Sequence, residues 1–239
     1  MIKGILFDKD GTLIEFKSVW HEIIGSILGV LENKYFFSRQ IINKIKEVSG
    51  YRDKDFTRES IIQYYATSQI IELWYVILAN ADIDGHRMIT SGELAALFEE
   101  KAVDENLKIN AMEGTRELLD YLINRNYIMG IATADTYSST IFSLKKADIL
   151  TYFSFIGCNE EGVKPKPDSD IAVRFCDGNG LKPEEVLIVG DSVTDMLFAE
   201  NTGTEFVGII TPYNNYKKFY EHNRPAVHKL KDIVAKLGL

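Results

Sequence analysis

Residues 186–203 read VLIVGDSVTDMLFAENTG and contain a complete strand, loop and helix. The first four residues are all apolar, which is typical of a strand that is buried on both faces. Thr194–Asn201 has the pattern of a helix, and Gly203 follows at a position where helices commonly end. Asp191 comes just after the strand, and Asp195 lies in the first turn of the helix. The segment therefore predicts a buried parallel strand with carboxylates at its carboxyl end.

The same alternation of strands and helices continues on both sides of this segment. The other predicted strands are Ile2–Phe7, Tyr127–Ala132, Phe153–Gly157 and Phe206–Ile210. The other predicted helices are Thr115–Asn124, Thr136–Ala147, Ser169–Cys176 and Asp232–Leu237. Strands that alternate with helices predict an α/β fold, in which a doubly wound, mostly parallel, Rossmann-like sheet is covered by helices on both faces.

Residues 16–105 separate the first strand from the rest of this pattern. Apolar side chains recur there every three or four residues, for example from Trp20 to Leu31, and this spacing is typical of amphipathic helices. We find no convincing strand pattern in the insertion. The sequence therefore predicts a discontinuous α/β core of residues 1–15 and 106–239 that carries an all-helical cap domain of residues 16–105.

The composition excludes several classes of protein. The 239 residues include 27 Lys and Arg against 35 Asp and Glu, so the net charge of −8 disfavours nucleic acid and anionic membranes as partners. Two cysteines are too few for a disulfide framework, and we expect a reducing, cytoplasmic setting. The most apolar run, Leu73–Ala81, is too short to cross a bilayer, and the amino-terminal segment lacks a signal-peptide pattern. We therefore expect no association with a membrane.

Polar side chains follow the predicted strands at the edge where open α/β sheets bind their ligands. In chain order they are Asp8, Asp10, Thr133, Lys164, Asp191 and Asp195. Asp8 and Asp191 together suit Mg²⁺, which prefers a few carboxylates together with water and phosphate oxygens. A lysine and a threonine hydroxyl suit a phosphoryl group, because its charge in the transition state has to be spread over fixed donors.

Four of these segments resemble, in the same order, the four motifs of the haloacid dehalogenase superfamily of phosphohydrolases. They are DKDGT at 8–12, the strand end at Thr133, KPKPD at 164–168 and GDSVTD at 190–195. The helical insertion after the first motif is similar to the type-1 cap of that superfamily. The stretches KPKPDSDIA, VGDSVTDMLFAENTG and GIITPYNN also resemble segments of its phosphoglycolate phosphatase and β-phosphoglucomutase branch.

The resemblance implies a catalytic role for each matching residue. Asp8 is expected to be the nucleophile that forms an aspartyl-phosphate. Asp10 is expected to act as general acid and then as base, and to bind the metal through its backbone carbonyl. The implied metal ligands are Asp8, Asp10, Asp191 and Asp195. The implied catalytic residues are Asp8, Asp10, Thr133 and Lys164.

The resemblance also suggests which residues bind the substrate. Those residues are Thr133, Ala134, Lys164, Gly50 and Arg52, and the last two match a loop of the cap in that branch. Lys166 is predicted to be solvated. Lys9 departs from the family pattern, which has an apolar residue between the two aspartates.

We therefore expect a Mg²⁺-dependent phosphatase that acts on a small phosphorylated metabolite and resembles phosphoglycolate phosphatase. The alternative is a phosphomutase that uses the same aspartyl-phosphate, as β-phosphoglucomutase does. A signalling receiver domain is disfavoured, because receivers are about half this length and carry neither a cap nor a GDSxxD segment. The sequence leaves the oligomeric state open.

One further segment, residues 82–93, partly fits the register of a calcium-binding EF-hand loop. However, Arg87 stands where that loop needs glycine for its sharp turn, and the chain offers no partner hand. We interpret the segment as a helix–loop–helix within the cap and leave Ca²⁺ binding as an alternative.

Overall fold

The computed structural model describes residues 1–53, 55–81, 89–212 and 214–236. These residues form two compact units. Unit 1 comprises Met1–Phe16 and Ile109–Leu239, and unit 2 comprises Lys17–Lys108.

The strands of both units are short. In chain order they are β1 (Gly4–Phe7), β2 (Tyr51–Arg52), β3 (Asp55–Phe56), β4 (Ile128–Ala132), β5 (Phe155–Gly157), β6 (Val186–Gly190), β7 (Glu205–Ile209) and β8 (Ala226–Val227). Over the described residues, six of them form a parallel sheet in unit 1 with the order β5–β4–β1–β6–β7–β8. The predicted α/β fold with a parallel sheet is thereby confirmed.

Among the described residues, the helices of unit 2 precede those of unit 1 in the chain. They are α1 (Phe16–Asn33), α2 (Arg39–Val48), α3 (Ile61–Tyr64), α4 (Thr67–Ala79) and α5 (Ser91–Ala102). Those of unit 1 are α6 (Thr115–Ile123), α7 (Tyr137–Lys146), α8 (Asp170–Asn179), α9 (Val193–Thr202), α10 (Lys217–Glu221) and α11 (Ile233–Lys236).

Strand β1 lies in the middle of the sheet and is completely buried. Its last residue, Phe7, is in register with Ile131 of β4 on one side and with Val189 of β6 on the other. The backbone N–H of Asp8 still donates to the carbonyl of Val189, at 2.8 Å. The carboxyl ends of the three central strands therefore lie side by side, and this edge of the sheet carries the polar loops.

Aromatic side chains connect the sheet to its helices. Phe155 of β5 packs edge to face against Phe175 of α8, with ring centroids 5.4 Å apart. Phe206 of β7 packs in the same way against Phe219 of α10, at 5.3 Å. Helix α10 and strand β8 are too short to have a periodic pattern, and the sequence did not predict them.

Unit 2 is built around Trp74, whose side chain is completely buried. The indole N–H of Trp74 donates to Oγ of Ser49 at 2.9 Å, and its ring packs edge to face against Phe98 of α5. The prediction that this insertion contains helices alone was wrong, because β2 and β3 form an antiparallel hairpin. Strands of two residues are too short for an alternating pattern to be visible in the sequence.

Most of the EF-hand-like segment lies outside the described residues. Glu93, its last residue, lies in the first turn of α5 and accepts hydrogen bonds from the backbone N–H and the hydroxyl of Thr90. This carboxylate therefore has a structural role as part of a helix capping box. Among the described residues, none of the helices has the length and the apolar composition that a membrane crossing requires.

Candidate active site

Three carboxylates meet at the carboxyl ends of β1 and β6. Asp8 follows β1, Asp191 follows β6, and Asp195 lies in the first turn of α9. One carboxylate oxygen from each of them lies within 4.8 Å of the other two. The structure thus brings together three of the four residues that the sequence proposed as metal ligands.

Lys166 completes this cluster. Its Nζ lies 2.7 Å from Oδ1 of Asp8 and 2.5 Å from Oδ1 of Asp195, and 4% of its side chain is exposed. The prediction that Lys166 is solvated was therefore wrong. A buried ammonium group between two carboxylates fixes both of them and places positive charge directly beside Asp8.

Lys164, which the sequence proposed as the catalytic lysine, does not lie in this cluster. Its side chain is 72% exposed and forms an ion pair with Asp168 at 3.4 Å. Its backbone N–H donates to the carboxylate of Asp170, at the start of α8. The lysine prediction is therefore corrected to Lys166. The segment contains the dipeptide Lys-Pro twice, and the sequence reasoning chose the first copy.

Both oxygens of Asp195 are bound by other residues of the chain. Oδ1 accepts the hydrogen bond from Lys166, and Oδ2 accepts from the backbone N–H of Ser192 at 3.0 Å and from its hydroxyl at 2.6 Å. Ser192 and Asp195 form the capping box at the start of α9. This geometry makes Asp195 an anchor for Lys166.

The cluster holds more negative than positive charge. Burial is the main cause that raises the pKa of Asp8 from 3.8 to about 7; Lys166 lowers it, and the charge of Asp195 raises it further. Burial and the neighbouring Asp8 and Asp195 raise the pKa of Asp191 well above its ordinary value. Because three carboxylates face one lysine and offer oxygen ligands alone, the donor set fits a hard divalent cation such as Mg²⁺.

The turn after β1 brings the backbone close to Asp191. Gly11 has a φ of +82°, and a Cβ at this position would collide with the carboxylate of Asp191. The N–H of Gly11 donates to the carbonyl of Ile14, and the N–H groups of Leu13 and Ile14 donate to the carbonyl of Lys9. Glycine is therefore required here both for the turn and for the close approach of the two loops.

Asp10 faces a different cation from Asp8. Its Oδ2 lies 2.7 Å from Nζ of Lys9, which also lies 3.2 Å from Oδ2 of Asp135. Within the part of the chain that the structure describes, Oδ1 of Asp10 is buried and has no hydrogen-bond partner. Asp10 thus has one oxygen that is held in place and one that is available.

Thr133 lies at the end of β4, the strand that pairs with β1. Its backbone N–H donates to the carbonyl of Gly157, and its hydroxyl oxygen accepts from the N–H of Asp135 at 3.2 Å. Thr133 is buried, whereas Ala134 is half-buried. Both residues therefore lie at the sheet edge next to the end of β1.

Gly50 and Arg52 belong to unit 2. Gly50 has a φ of +65° and leads into the hairpin, where a Cβ would lie 2.6 Å from Oγ1 of Thr57. This geometry explains why a glycine stands there without any contact to a substrate. Arg52 is exposed on β2. The binding of substrate by these two residues stays a prediction.

A family model for haloacid dehalogenase-like hydrolases matches residues 5–209. The chain belongs to this family. The matched range includes most of β1, all of β4 and β6, and the start of α9, and it contains all three carboxylates of the cluster. By enzyme class this hydrolase is a phosphatase.

Curated relatives of the hydrolase share about a quarter of its residues. It is 24% identical over 208 residues to pyrophosphatase PpaX of Bacillus velezensis, covering 87% of this chain and 83% of the relative. It is 24% identical over 246 residues to phosphoglycolate phosphatase of Escherichia coli, covering 100% of this chain and 93% of the relative. The crystal structure of CbbY from Rhodobacter sphaeroides in complex with phosphate has a TM-score of 0.71 at 16% identity, and it covers 95% of this chain and 94% of its own. That likeness shows that the two chains share a fold.

Sequence reasoning missed three residues of the hydrolase's site: Lys166, Lys9 and Asp135. For Lys9 a signal was present, because a lysine stands between the two aspartates that follow an apolar strand, where the family pattern has an apolar side chain. For Lys166 the pattern was ambiguous, because Lys164 and Lys166 are both followed by proline. Asp135 stands after the predicted strand that ends at Ala132, but its pairing with Lys9 had no signal, because the two residues are distant in the sequence.

Proposed function

We propose that this hydrolase is a Mg²⁺-dependent phosphatase that cleaves a small phosphate monoester through an aspartyl-phosphate on Asp8. The observation that carries the proposal is the buried contact between Lys166 and Asp8 beside Asp191 and Asp195. Such a pair provides a carboxylate nucleophile and a fixed positive charge at the same point.

In the first step, an oxygen of Asp8 attacks phosphorus and the bond to the leaving oxygen breaks. Lys166 holds Oδ1 of Asp8, so we propose Oδ2 as the attacking atom. Asp10 gives its proton to the leaving oxygen, which departs as an alcohol. Lys166 and the hydroxyl of Thr133 are proposed to stabilise the negative charge on the phosphoryl group.

In the second step, water attacks the phosphorus of the aspartyl-phosphate and the bond to Asp8 breaks. Asp10, now a carboxylate, takes a proton from the attacking water and is ready for the next cycle. Inorganic phosphate is released, and Asp8 becomes a carboxylate again. The two steps need no reactant other than the ester and water.

Asp8 and Asp191 are proposed to hold Mg²⁺, together with the backbone carbonyl of Asp10. When bound, Mg²⁺ supplies positive charge against the oxygens of the phosphoryl group. Asp195 contributes by fixing Lys166, since both of its oxygens are already bound by protein groups. Its proposed role is therefore to hold Lys166 in place beside the metal site.

The proposed substrates are small phosphorylated metabolites. The relatives named phosphoglycolate phosphatase and pyrophosphatase support this class, and they suggest an acidic phosphate ester and pyrophosphate as the first compounds to test. The substrate within this class and a cytoplasmic location stay predictions.

The proposal is tested by phosphate release from phosphoglycolate, pyrophosphate and p-nitrophenyl phosphate, each with and without Mg²⁺. We expect Mg²⁺-dependent turnover by the wild-type protein and none by Asp8→Asn, whose thermal unfolding should show an intact fold. Turnover by Asp8→Asn, or full activity in the presence of EDTA, would overturn the proposal.

A second assay separates the phosphatase from the mutase. The protein is incubated with β-glucose 1-phosphate and a sugar bisphosphate primer, and both the released phosphate and the isomerised sugar phosphate are measured. We expect released phosphate. Isomerisation without release of phosphate would identify a mutase instead.

A further inference from the structure

Lys9 is a buried lysine with no role in the steps above. It stands between Asp8 and Asp10 in the sequence, and 1% of it is exposed. Lysine is seldom buried unless it is paired, because removing an ammonium group from water is strongly unfavourable. Here Nζ lies 2.7 Å from Asp10 and 3.2 Å from Asp135, so both of these carboxylates compensate its charge.

Asp135 is itself held firmly. Its Oδ1 accepts from the backbone N–H of Thr136 at 2.8 Å, and its Oδ2 accepts from the hydroxyl of Ser139 at 2.7 Å. Thr136 is the N-cap of α7, and Ser139 lies in the first turn of that helix. Lys9 is therefore attached through Asp135 to the beginning of a helix.

This attachment determines which oxygen of Asp10 is available. Oδ2 is bound to Lys9, whereas Oδ1 is buried and has no partner among the described residues. A carboxyl group held at one oxygen loses rotational freedom at the other, so a proton carried by the free oxygen is offered in one direction. The N–H of Asp135 also binds the hydroxyl of Thr133, so the same loop fixes the residue proposed to bind the phosphoryl group.

We propose that Lys9, anchored by Asp135, is a positioning residue that orients Asp10 for proton transfer to the leaving group. The inference rests on the proposed function, in which Asp10 is the general acid. Lys9 links the loop after β1 to the loop after β4, and it thereby sets Asp10 relative to Thr133.

The orientation of a general acid has a kinetic signature that a purely structural ion pair lacks. An alkyl leaving group needs the proton of the acid, whereas p-nitrophenolate departs readily without it. The quotient kcat/KM reports the reaction up to the departure of the leaving group, so the later role of Asp10 as base does not enter. The probes are therefore an alkyl phosphate and p-nitrophenyl phosphate, assayed with the same enzyme preparation.

For Lys9→Met we expect kcat/KM for the alkyl phosphate to fall by about 10- to 100-fold, within the range that general acids contribute. For p-nitrophenyl phosphate we expect a fall of less than about threefold. Asp10→Asn is expected to show the same selectivity, and Lys9→Met is expected to add little to it in the double variant. Lys3→Met is the matched control, because Lys3 stands directly before β1 with an exposed side chain that pairs with Glu185, and we expect no change.

Asp135→Asn supplies an independent test, which also applies if Lys9→Met does not fold. This variant keeps Lys9 and removes the negative charge of the carboxylate that anchors it. We expect the same selective loss of kcat/KM for the alkyl phosphate. Equal losses on both substrates in the folded variants, or no loss on either, would overturn the role of Lys9 alone. A wild-type protein that releases phosphate from neither ester would instead overturn the proposed function, and the role of Lys9 with it.

Discussion

Asp8 and Asp10, the two aspartates that follow β1, each contact a different buried lysine. Asp8 contacts Lys166, and Asp10 contacts Lys9, in both cases at 2.7 Å. Each lysine also binds a second carboxylate. The Lys166 cluster consists of Asp8, Lys166 and Asp195, and the Lys9 cluster consists of Asp10, Lys9 and Asp135.

The second carboxylate of each cluster is anchored at the start of a helix. Asp195 is bound by the backbone N–H and the hydroxyl of Ser192 at the start of α9. Asp135 is bound by the backbone N–H of Thr136 and the hydroxyl of Ser139 at the start of α7. The unsatisfied N–H groups and the positive end of the helix dipole favour a carboxylate at these places.

The two clusters differ in their surroundings. Asp191 adds a third carboxylate beside the Lys166 cluster, and the pKa of Asp8 rises to about 7, chiefly through burial. The Lys9 cluster has two carboxylates for its one lysine and is not part of that group of carboxylates. We therefore expect the Lys166 cluster to balance the charge that develops in the reaction. The Lys9 cluster is expected to orient the side chain of Asp10.

The largest effect is expected from Lys166. Lys166→Met removes the positive charge beside Asp8, and we expect kcat/KM to fall by roughly 10²- to 10³-fold for every phosphate ester, because the charge is needed whichever group leaves. Lys164→Met is the matched variant, since Lys164 is exposed two residues earlier, and it should retain wild-type activity. A large loss of kcat/KM in Lys164→Met with a small loss in Lys166→Met would show that Lys164, and not Lys166, is the catalytic lysine.

An effect of intermediate size is expected from pH on the stability of the metal-free protein. Burial raises the pKa of Asp8 to about 7, so the folded protein holds a proton that the unfolded chain has already released. The metal-free protein therefore loses stability as the pH rises from about 4 to about 7. Because Mg²⁺ competes with this proton, we expect it to raise Tm more at about pH 8 than at about pH 5. Thermal unfolding at both pH values provides the measurement, and an equal or larger increase at acidic pH would contradict the account.

The smallest effect is expected from Ser192. Ser192→Ala removes a helix cap and the hydroxyl bond to Asp195, and we expect a loss of about 1 kcal/mol in stability and about threefold in kcat. Thr90→Ala removes the capping box of α5 in unit 2 and should cost a similar stability without a change in kcat. Chemical denaturation and steady-state kinetics of the two variants separate capping from catalysis. Identical kcat values in both variants would show that the bond between Ser192 and Asp195 does not support Lys166.

Much of the fold could be predicted because its signals are local. The apolar runs of β1 and β6 and the carboxylates after them are adjacent in the sequence, and the structure places those carboxylates together. The β2–β3 hairpin, α10 and β8 could not be predicted in this way, because two to five residues are too few to establish a period.

The lysines of the site were harder to predict for a different reason. Lys164 and Lys166 are each followed by proline, and only the three-dimensional path of the loop decides which of them turns inward. For Lys9, the neighbouring aspartates explain one of its contacts. The other contact, with Asp135, depends on the pairing of β1 with β4.

The central claim is that Asp8 forms an aspartyl-phosphate while Lys166 neutralises it. The most direct measurement is a rapid acid quench of the enzyme during turnover, followed by mass spectrometry of the peptide that contains Asp8. We predict that one phosphoryl group is attached to Asp8 in the wild-type protein and that none is found in Asp8→Asn. Turnover with no phosphorylated peptide at any quench time, or with the phosphoryl group on another residue, would contradict the account.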